Sequence, residues 1–386
     1  MVNTQRPIII VGCLLPGLNS HGEAIPQKYD DGYQFYQEDS DRIRVEAHYL
    51  RAHLELSDAT SFRMQYLHDA ISGSSPTGVL PGGIQPVFAD LEDVREGILG
   101  ALAHQIGDHR IEFEYSRSEE SDYISNGFVL SHEWELNQKN TTLAFGVNYL
   151  DDTVQVVGLG GQKKETFDFF AGITQIIDKN TTVSANLTLG YSDGYLNDPY
   201  KVVQRDEVLI IPPMVEIPIV ILYPENRPGN RFRQVLQLGG GHYFESLKGA
   251  LHADLRLSHD DYGVFSQMAQ LEWRQEVGED LLLTPFYRFY HQNAADFFVN
   301  TLNDVIPVGT PPNAPDGSGP NYSSDYRLSS LIAQSVGLRS RYQISDNLAV
   351  SAAYERYVME GVGSETSPTV AYPSANIFTL GASLEF

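Results

Sequence analysis

The sequence predicts an all-β protein, a transmembrane antiparallel up-and-down β-barrel of about 16 strands. Three observations lead to this fold class. Segments of about ten residues alternate between apolar and polar side chains along most of the chain, as the tilted strands of membrane barrels do. The connections between these segments are alternately short and long. The chain ends on an aromatic residue, Phe386.

The first 24 residues predict a cleaved signal peptide, followed by a single barrel domain over residues 25–386. Arg6 supplies the positive start, Ile8 to Leu18 form the apolar run, and Ala24 ends a small-residue cleavage signal. The single cysteine, Cys13, lies inside this segment. The mature chain is therefore expected to have no disulfide framework, no cysteine-bound haem or cluster, and no cofactor.

The amino-acid composition indicates which partners are excluded and which elements cross the membrane. The formal net charge of −24 argues against nucleic acid as a partner. The 22 tyrosines and 18 phenylalanines suit the aromatic girdles of a membrane barrel. The most apolar mature stretch, 208–223, contains three prolines and a glutamate, and it is shorter than the roughly 20 residues that a spanning helix needs. Strands rather than helices are expected to cross the membrane.

The strand count depends on the beginning of the mature chain. Fifteen alternating segments follow Arg42, which is an odd number for a bacterial barrel. A short strand around Gly32–Glu38 brings the count to 16, with 14 as the alternative. Whether residues 25–40 form this strand or plug the barrel is left open by the sequence.

The connections predict the orientation. Tight turns are expected at Ser57–Thr60, Gly107–His109, Asn137–Asn140, Asp178–Asn180, Glu245–Lys248, Val277–Asp280 and Ser345–Asn347, and longer loops near 72–92, 151–162, 194–230, 292–325 and 361–373. Outer-membrane barrels keep their short turns in the periplasm and their long loops outside. The alternation therefore predicts an integral protein of the bacterial outer membrane.

The last strand supports this location. Phe378, Leu380, Ala382 and Leu384 share one face, and Phe386 ends the chain. A strand of this kind with a terminal aromatic resembles the assembly signal of bacterial outer-membrane barrels. That resemblance implies that the barrel assembly machinery and outer-membrane lipids are partners.

A barrel of about 16 strands encloses a water-filled lumen. Charged residues that alternate with apolar ones are candidates to line it: Arg42, Arg44, Glu46, Arg110, Glu112, Glu114, Arg339 and Arg341. Charges of both signs predict either a selective polar pore or ion pairs that brace the wall.

The sequence offers no catalytic or metal motif. Its histidines form no His-Glu-x-x-His pair, its serines lie in no Gly-x-Ser-x-Gly elbow, and its acidic clusters match no DxDxDG loop. We expect no enzyme, no catalytic residues and no metal site.

Several segments, in this order, are similar to a family of bacterial outer-membrane proteins known only as a domain of unknown function. They are Tyr36–Val45, His68–Gly78, Glu114–Gly127, Asn140–Asp152, Gly194–Val203, Tyr223–Arg231 and Ser323–Ser329. The resemblance covers nearly the whole mature chain and implies the barrel fold and the outer membrane. It also implies an association with a small lipoprotein and with enzymes that attach flavin to exported proteins. It brings no catalytic residue.

The sequence therefore predicts a porin-like channel for small polar solutes or ions, gated by the loops at 72–92, 194–230 and 292–325. One alternative is a non-conducting barrel that acts as a scaffold for a lipoprotein or for an extracytoplasmic flavin-linked or electron-transfer partner. A weaker alternative is a hydrolase at the membrane edge.

Overall fold

The computed structural model describes residues 26–82, 86–212, 214–303, 305–307, 310, 312 and 315–386. The predicted signal peptide lies outside the described residues. Sixteen strands form a closed antiparallel barrel, and two more form a separate hairpin. None of the described segments forms a helix that is long and apolar enough to cross a membrane.

The strands are β1 (Gln27–Glu38), β2 (Arg44–Ser57), β3 (Thr60–Pro76), β4 (Phe88–Ile106), β5 (His109–Glu119), β6 (Tyr123–Leu136), β7 (Thr141–Val156), β8 (Gly160–Asp178), β9 (Thr181–Gly194), β10 (Val202–Ile211), β11 (Val215–Pro224), β12 (Asn230–Phe244), β13 (Gly249–Asp260), β14 (Phe265–Val277), β15 (Leu281–Gln292), β16 (Leu331–Ser345), β17 (Leu348–Gly361) and β18 (Ser374–Glu385). Four single 3₁₀ turns lie at Asp39–Asp41, Glu245–Leu247, Tyr326–Leu328 and Thr369–Ala371.

The predicted strand count of 16 is confirmed, and the alternative of 14 is wrong. Strand β1 contains the segment around Gly32–Glu38 and pairs with both β2 and β18, so residues 27–38 are part of the wall and not a plug. The apolar stretch 208–223 forms most of the hairpin β10–β11, which is not part of the barrel. The sequence did not predict this separate hairpin.

The two faces of the wall follow from the strand register, because directly opposed residues share a face. Six aromatic residues are successive cross-strand partners over β5–β9 and β12: Tyr115, Phe128, Tyr149, Phe167, Tyr191 and Phe232. Exposed apolar side chains such as Leu130 and Val147 lie on the same face. This is the outer face, with an apolar belt and an aromatic row, and the polar residues between them form the inner face.

The seven tight turns lie at one end of the barrel, named here the short-turn end. Here the wall closes: the N–H of Phe386 donates to the carbonyl of Gln27 over 2.9 Å, and the N–H of Gln27 donates in return over 3.2 Å. The Phe386 ring contacts Tyr29 edge-on at a centroid distance of 6.5 Å. The opposite end is named the long-loop end.

At the long-loop end two segments, 195–229 and 293–330, pack together and are named here the lid. The lid contains the hairpin β10–β11 and has two small hydrophobic cores. One is built around Tyr262, Phe298 and Leu328, and the other around Val203, Leu302 and Tyr322. The first packs the lid against the β13–β14 connection, which contains Tyr262, and the second joins the two lid segments to each other.

Candidate functional site

The lid crosses the mouth of the barrel. Segment 195–229 connects β9 to β12, yet its Val202 N–H donates to the carbonyl of Thr77, over 2.9 Å, just beyond β3. Strand β3 is six strands away from β9 around the ring. The second segment reaches the same point, since Ser324 Oγ donates to the carbonyl of Val202 over 2.7 Å. The mouth is therefore bridged by contacts between distant strands.

Five charged residues link the two lid segments and are named here the ionic latch: Asp198, Glu225, Arg227, Asp325 and Arg327. Arg227 lies 2.7 Å from Glu225 and 2.7 Å from Asp325. Arg327 Nε donates to both oxygens of Asp325 over 2.9 Å, and its Nη2 bonds Asp198. Glu225 and Asp325 are each only 1% exposed. Because a buried charge is costly unless it is paired, separation of the two lid segments would leave buried charges unpaired and is therefore unfavourable.

The latch carboxylates have opposite pKa shifts. Burial raises the pKa of Glu225 to about 7, although Arg227 opposes this effect. Burial acts on Asp325 too, but Arg327 and Arg227 outweigh it and hold the pKa of Asp325 well below its usual range. Glu225 is thus the latch group that changes charge near neutral pH.

Three of the candidate lumen residues lie together on the inner face of β5. Arg110 bonds Glu112 over 3.2 Å, and Arg63 of β3 bonds both Glu112 and Glu114 over 2.8 and 2.9 Å. These four side chains form an ion-pair network along the wall. Most of its charges are neutralised locally.

Arg339 and Arg341 also lie on the inner face, on β16. Arg339 bonds Glu272 over 2.8 Å and covers the Phe286 ring at 4.1 Å. Arg341 is exposed, and its side chain makes no ion pair or hydrogen bond with any residue that the structure describes. Its charge is therefore available to the lumen.

The prediction was wrong for Arg44 and Glu46, which lie on the outer face. Glu46 of β2 lies directly opposite Phe35 of β1 and on the same face of β2 as the exposed Leu50, so all three residues lie on one face of the sheet. Arg44 covers the Phe35 ring at 5.0 Å, and the Tyr33 hydroxyl donates to Glu46 over 3.1 Å. At this end of β2 the usual alternation is inverted, since the charged residues lie on the outer face and the apolar Val45 and Ala47 lie on the inner face.

Arg42 was predicted to line the lumen, but it lies at the rim of the barrel instead. It follows the 3₁₀ turn Asp39–Asp41 and lies 3.0 Å from Glu38. Its guanidinium donates to the carbonyl of Val370 over 2.9 Å. Arg42 therefore ties the β17–β18 loop to the end of β1 at the rim.

The inner wall carries different charge on opposite sides. On β13–β16 five arginines face the lumen with four carboxylates: Arg256, Arg274, Arg288, Arg339 and Arg341 with Asp254, Asp260, Glu272 and Glu276. On β3–β6, directly across the ring, three arginines face it with six carboxylates: Arg63, Arg95 and Arg110 with Asp69, Asp93, Glu112, Glu114, Glu133 and Glu135. A transverse electric field across the lumen follows from this arrangement.

Among the described residues, two of the cavities between the lid and the wall are large enough to hold several water molecules. The larger has a volume of about 520 Å³ and is lined by the inner face of β6–β9 and β12 and by lid residues 195–199. The smaller, of about 200 Å³, is acidic. Its Asp93, Glu120 and Asp122 lie close together, and Ser121 and Tyr200 donate to Asp93 and Asp122.

Sequence reasoning missed the latch. Its signal is a repeated pair with one residue between acid and arginine, Glu225-x-Arg227 and Asp325-x-Arg327. Both pairs lie inside segments that carried the family resemblance. Nothing in the local sequence shows that the two pairs meet.

A protein-family model matches most of this chain. The model of a family described as protein of unknown function (DUF3570) matches residues 12–89, 81–162 and 159–370. No curated protein sequence matches this chain.

Solved structures of similar architecture are outer-membrane barrels. CdiB from Acinetobacter baumannii has a TM-score of 0.50 at 8% identity, covering 93% of this chain and 60% of that protein. OccK3 from Pseudomonas aeruginosa has 0.43 at 8% identity, covering 94% and 95%. The CymD monoaromatic hydrocarbon channel has 0.42 at 10% identity, covering 93% and 88%. At such identities the likeness concerns the fold alone.

Proposed function

Because this chain belongs to the DUF3570 family, whose description names no activity, we propose a function from the geometry of its own barrel. The protein is a porin-like channel for small polar solutes or ions in the bacterial outer membrane. The lid regulates entry at the long-loop end.

The transverse charge difference of the inner wall carries this proposal. A wall that only needed bracing would neutralise its charges locally, as the Arg63 network does. The side chains of Arg256 and Arg341 instead make no ion pair or hydrogen bond with any described residue, and they are exposed on the inner face. Fixed, uncompensated charges in a water-filled lumen attract mobile counter-ions and raise their local concentration.

Conductance of the purified, folded barrel in a planar bilayer tests the proposal. We expect discrete steps, with a preference between cations and anions that changes when Arg341→Glu reverses an inner charge. Arg44→Glu is the matched control, because it makes the same change on the outer face and should leave the preference unaltered. A folded barrel that stays silent, even when the ionic latch is broken, would overturn the channel proposal.

A second candidate function rests on the hairpin β10–β11. Its tip carries large exposed apolar side chains, with Ile210 63% and Met214 84% exposed. Exposed apolar patches of this kind are typical of protein-binding surfaces. The barrel would then act as a scaffold for a lipoprotein or a flavin-linked redox partner, and deletion of the hairpin should abolish co-purification of that partner while leaving the barrel folded.

A further inference from the structure

We propose that the larger cavity beneath the lid binds small hydroxylated carboxylates, of the chemical class of sugar acids. This inference deepens the proposed channel function, since it names the solute that would rest in the cavity on its way through the barrel. It depends on the cavity itself and can be tested without conductance.

The cavity has the size and lining of a small-molecule site. Its volume of about 520 Å³ lies within the range of known ligand pockets. Tyr195 of the lid, Tyr123 of β6 and Tyr262 beside β13 give it aromatic surfaces. A ligand there would lie between the lid and the inner wall.

One side of the cavity supplies a free cation. Arg233 of β12 lines it and is exposed, and its side chain makes no ion pair or hydrogen bond with any residue in the described part of the chain. The neighbouring Arg231 differs, because it bonds Asp260 over 2.9 Å through Nε. Arg327, half exposed, also lines the cavity. The unpaired guanidinium of Arg233 is suited to a carboxylate, which it can bind with two parallel hydrogen bonds.

The adjoining wall supplies a free acceptor. Asp168 of β8 also lines the cavity, and its Oδ2 accepts from Asn148 over 2.9 Å. Its Oδ1 is buried and has no donor among the described residues. A buried acceptor without a donor costs free energy, which a ligand hydroxyl would recover.

Arg233 and Asp168 border the same open position at Gly190. A Cβ atom there would lie 2.5 Å from Asp168 Oδ1 and 3.9 Å from Arg233 Nη2. Both groups therefore lie beside one point, which any side chain at position 190 would fill. A neutral sugar would leave Arg233 unpaired, and a simple carboxylate would leave Asp168 without a donor, so the pair selects a ligand that carries both groups.

Calorimetric titration of the folded, detergent-solubilised protein at low salt tests the site with three probes: gluconate, glucose and acetate. We expect gluconate to bind at least about tenfold more tightly than either of the others, since each lost charge-assisted hydrogen bond costs roughly tenfold or more. Arg233→Ala should lower gluconate affinity by at least about tenfold. Arg44→Ala is the matched control, because it removes an arginine of the outer face, away from the cavity and the lumen, and should leave gluconate affinity unchanged.

Asp168→Asn provides an independent variant. It should reduce the advantage of gluconate over acetate while leaving acetate binding unweakened. Equal binding of the three probes, or gluconate affinity that is the same in Arg233→Ala, would overturn the inference. Two further outcomes separate the proposals: a silent barrel that still binds gluconate refutes the channel alone, and a conducting barrel without Arg233-dependent binding refutes the site alone.

Discussion

Replacing Asp325 by asparagine should loosen the lid while leaving the barrel wall intact. Asp325 is buried and holds Arg227 and Arg327 together. Its loss leaves the largely buried Arg227 with Glu225 as its remaining carboxylate partner among the described residues. Removing one partner of a buried ion pair costs about 3–5 kcal/mol, which corresponds to a shift of roughly a hundredfold to several thousandfold in the equilibrium between closed and open lid. Both Arg227 and Asp325 belong to the lid, so the cost falls on lid closure.

Amide hydrogen exchange measures this shift directly. In Asp325→Asn the amides of segments 195–229 and 293–330 should exchange at least about a hundredfold faster, while those of the barrel strands stay protected. Asp39→Asn is the control: it breaks an exposed rim pair with Arg356, 2.6 Å long, worth at most about 1 kcal/mol. Unchanged protection of the lid, or equal loosening of lid and wall, would refute the reasoning.

Three other predictions concern charge, lipid contact and packing. In the closed lid the pKa of the Glu225 carboxyl is raised from 4.5 to about 7, so the closed lid binds this proton more tightly than an open lid does. In hydrogen-exchange experiments lid closure should therefore weaken as pH rises from 5 to 8, and Glu225→Gln should remove that dependence. Asp31 is an exposed carboxylate on the outer face of β1, so Asp31→Leu should stabilise the barrel against urea by about 1 kcal/mol, and a loss of stability would contradict this. Gly337→Ala would place a Cβ 2.5 Å from the Phe286 ring and should cost about 1–3 kcal/mol in the same urea experiment, whereas Gly240→Ala, with 3.7 Å of clearance, should show no such steric cost.

The barrel was predictable because the wall obeys a local rule. Each strand must present one face to an apolar belt, so the alternation seen in Leu143–Tyr149 or Leu251–Leu257 shows a strand without knowledge of its neighbours. The same rule failed for Arg44 and Glu46, because at this end of β2 the charged residues lie on the outer face and the apolar Val45 and Ala47 lie on the inner face. Alternation identifies the inside only at the depth where the outside is apolar.

The lid was not predictable because its contacts are non-local. Arg227 and Asp325 are separated by 98 residues, and neither lies in an alternating segment. The long loops at 194–230 and 292–325 were expected to be functional from their length, but length does not show that two loops share a hydrophobic core. The free Arg233 lies on an ordinary strand and becomes a candidate only when its missing partner is seen in three dimensions.

The closing contact between β1 and β18 has a consequence for the order of the chain. Gln34 pairs with Thr379, and the backbones of Gln27 and Phe386 exchange two hydrogen bonds, so this seam has the same antiparallel pairing as every other joint of the ring. A short linker between Phe386 and Gln27, with a new break at the tight turn Asn137–Asn140, would give a circular permutant. Each of its sixteen barrel strands would keep the same two neighbouring strands. Such a permutant keeps the pairing that closes the ring but moves the chain ends away from this seam, so it shows whether ring closure requires free ends there.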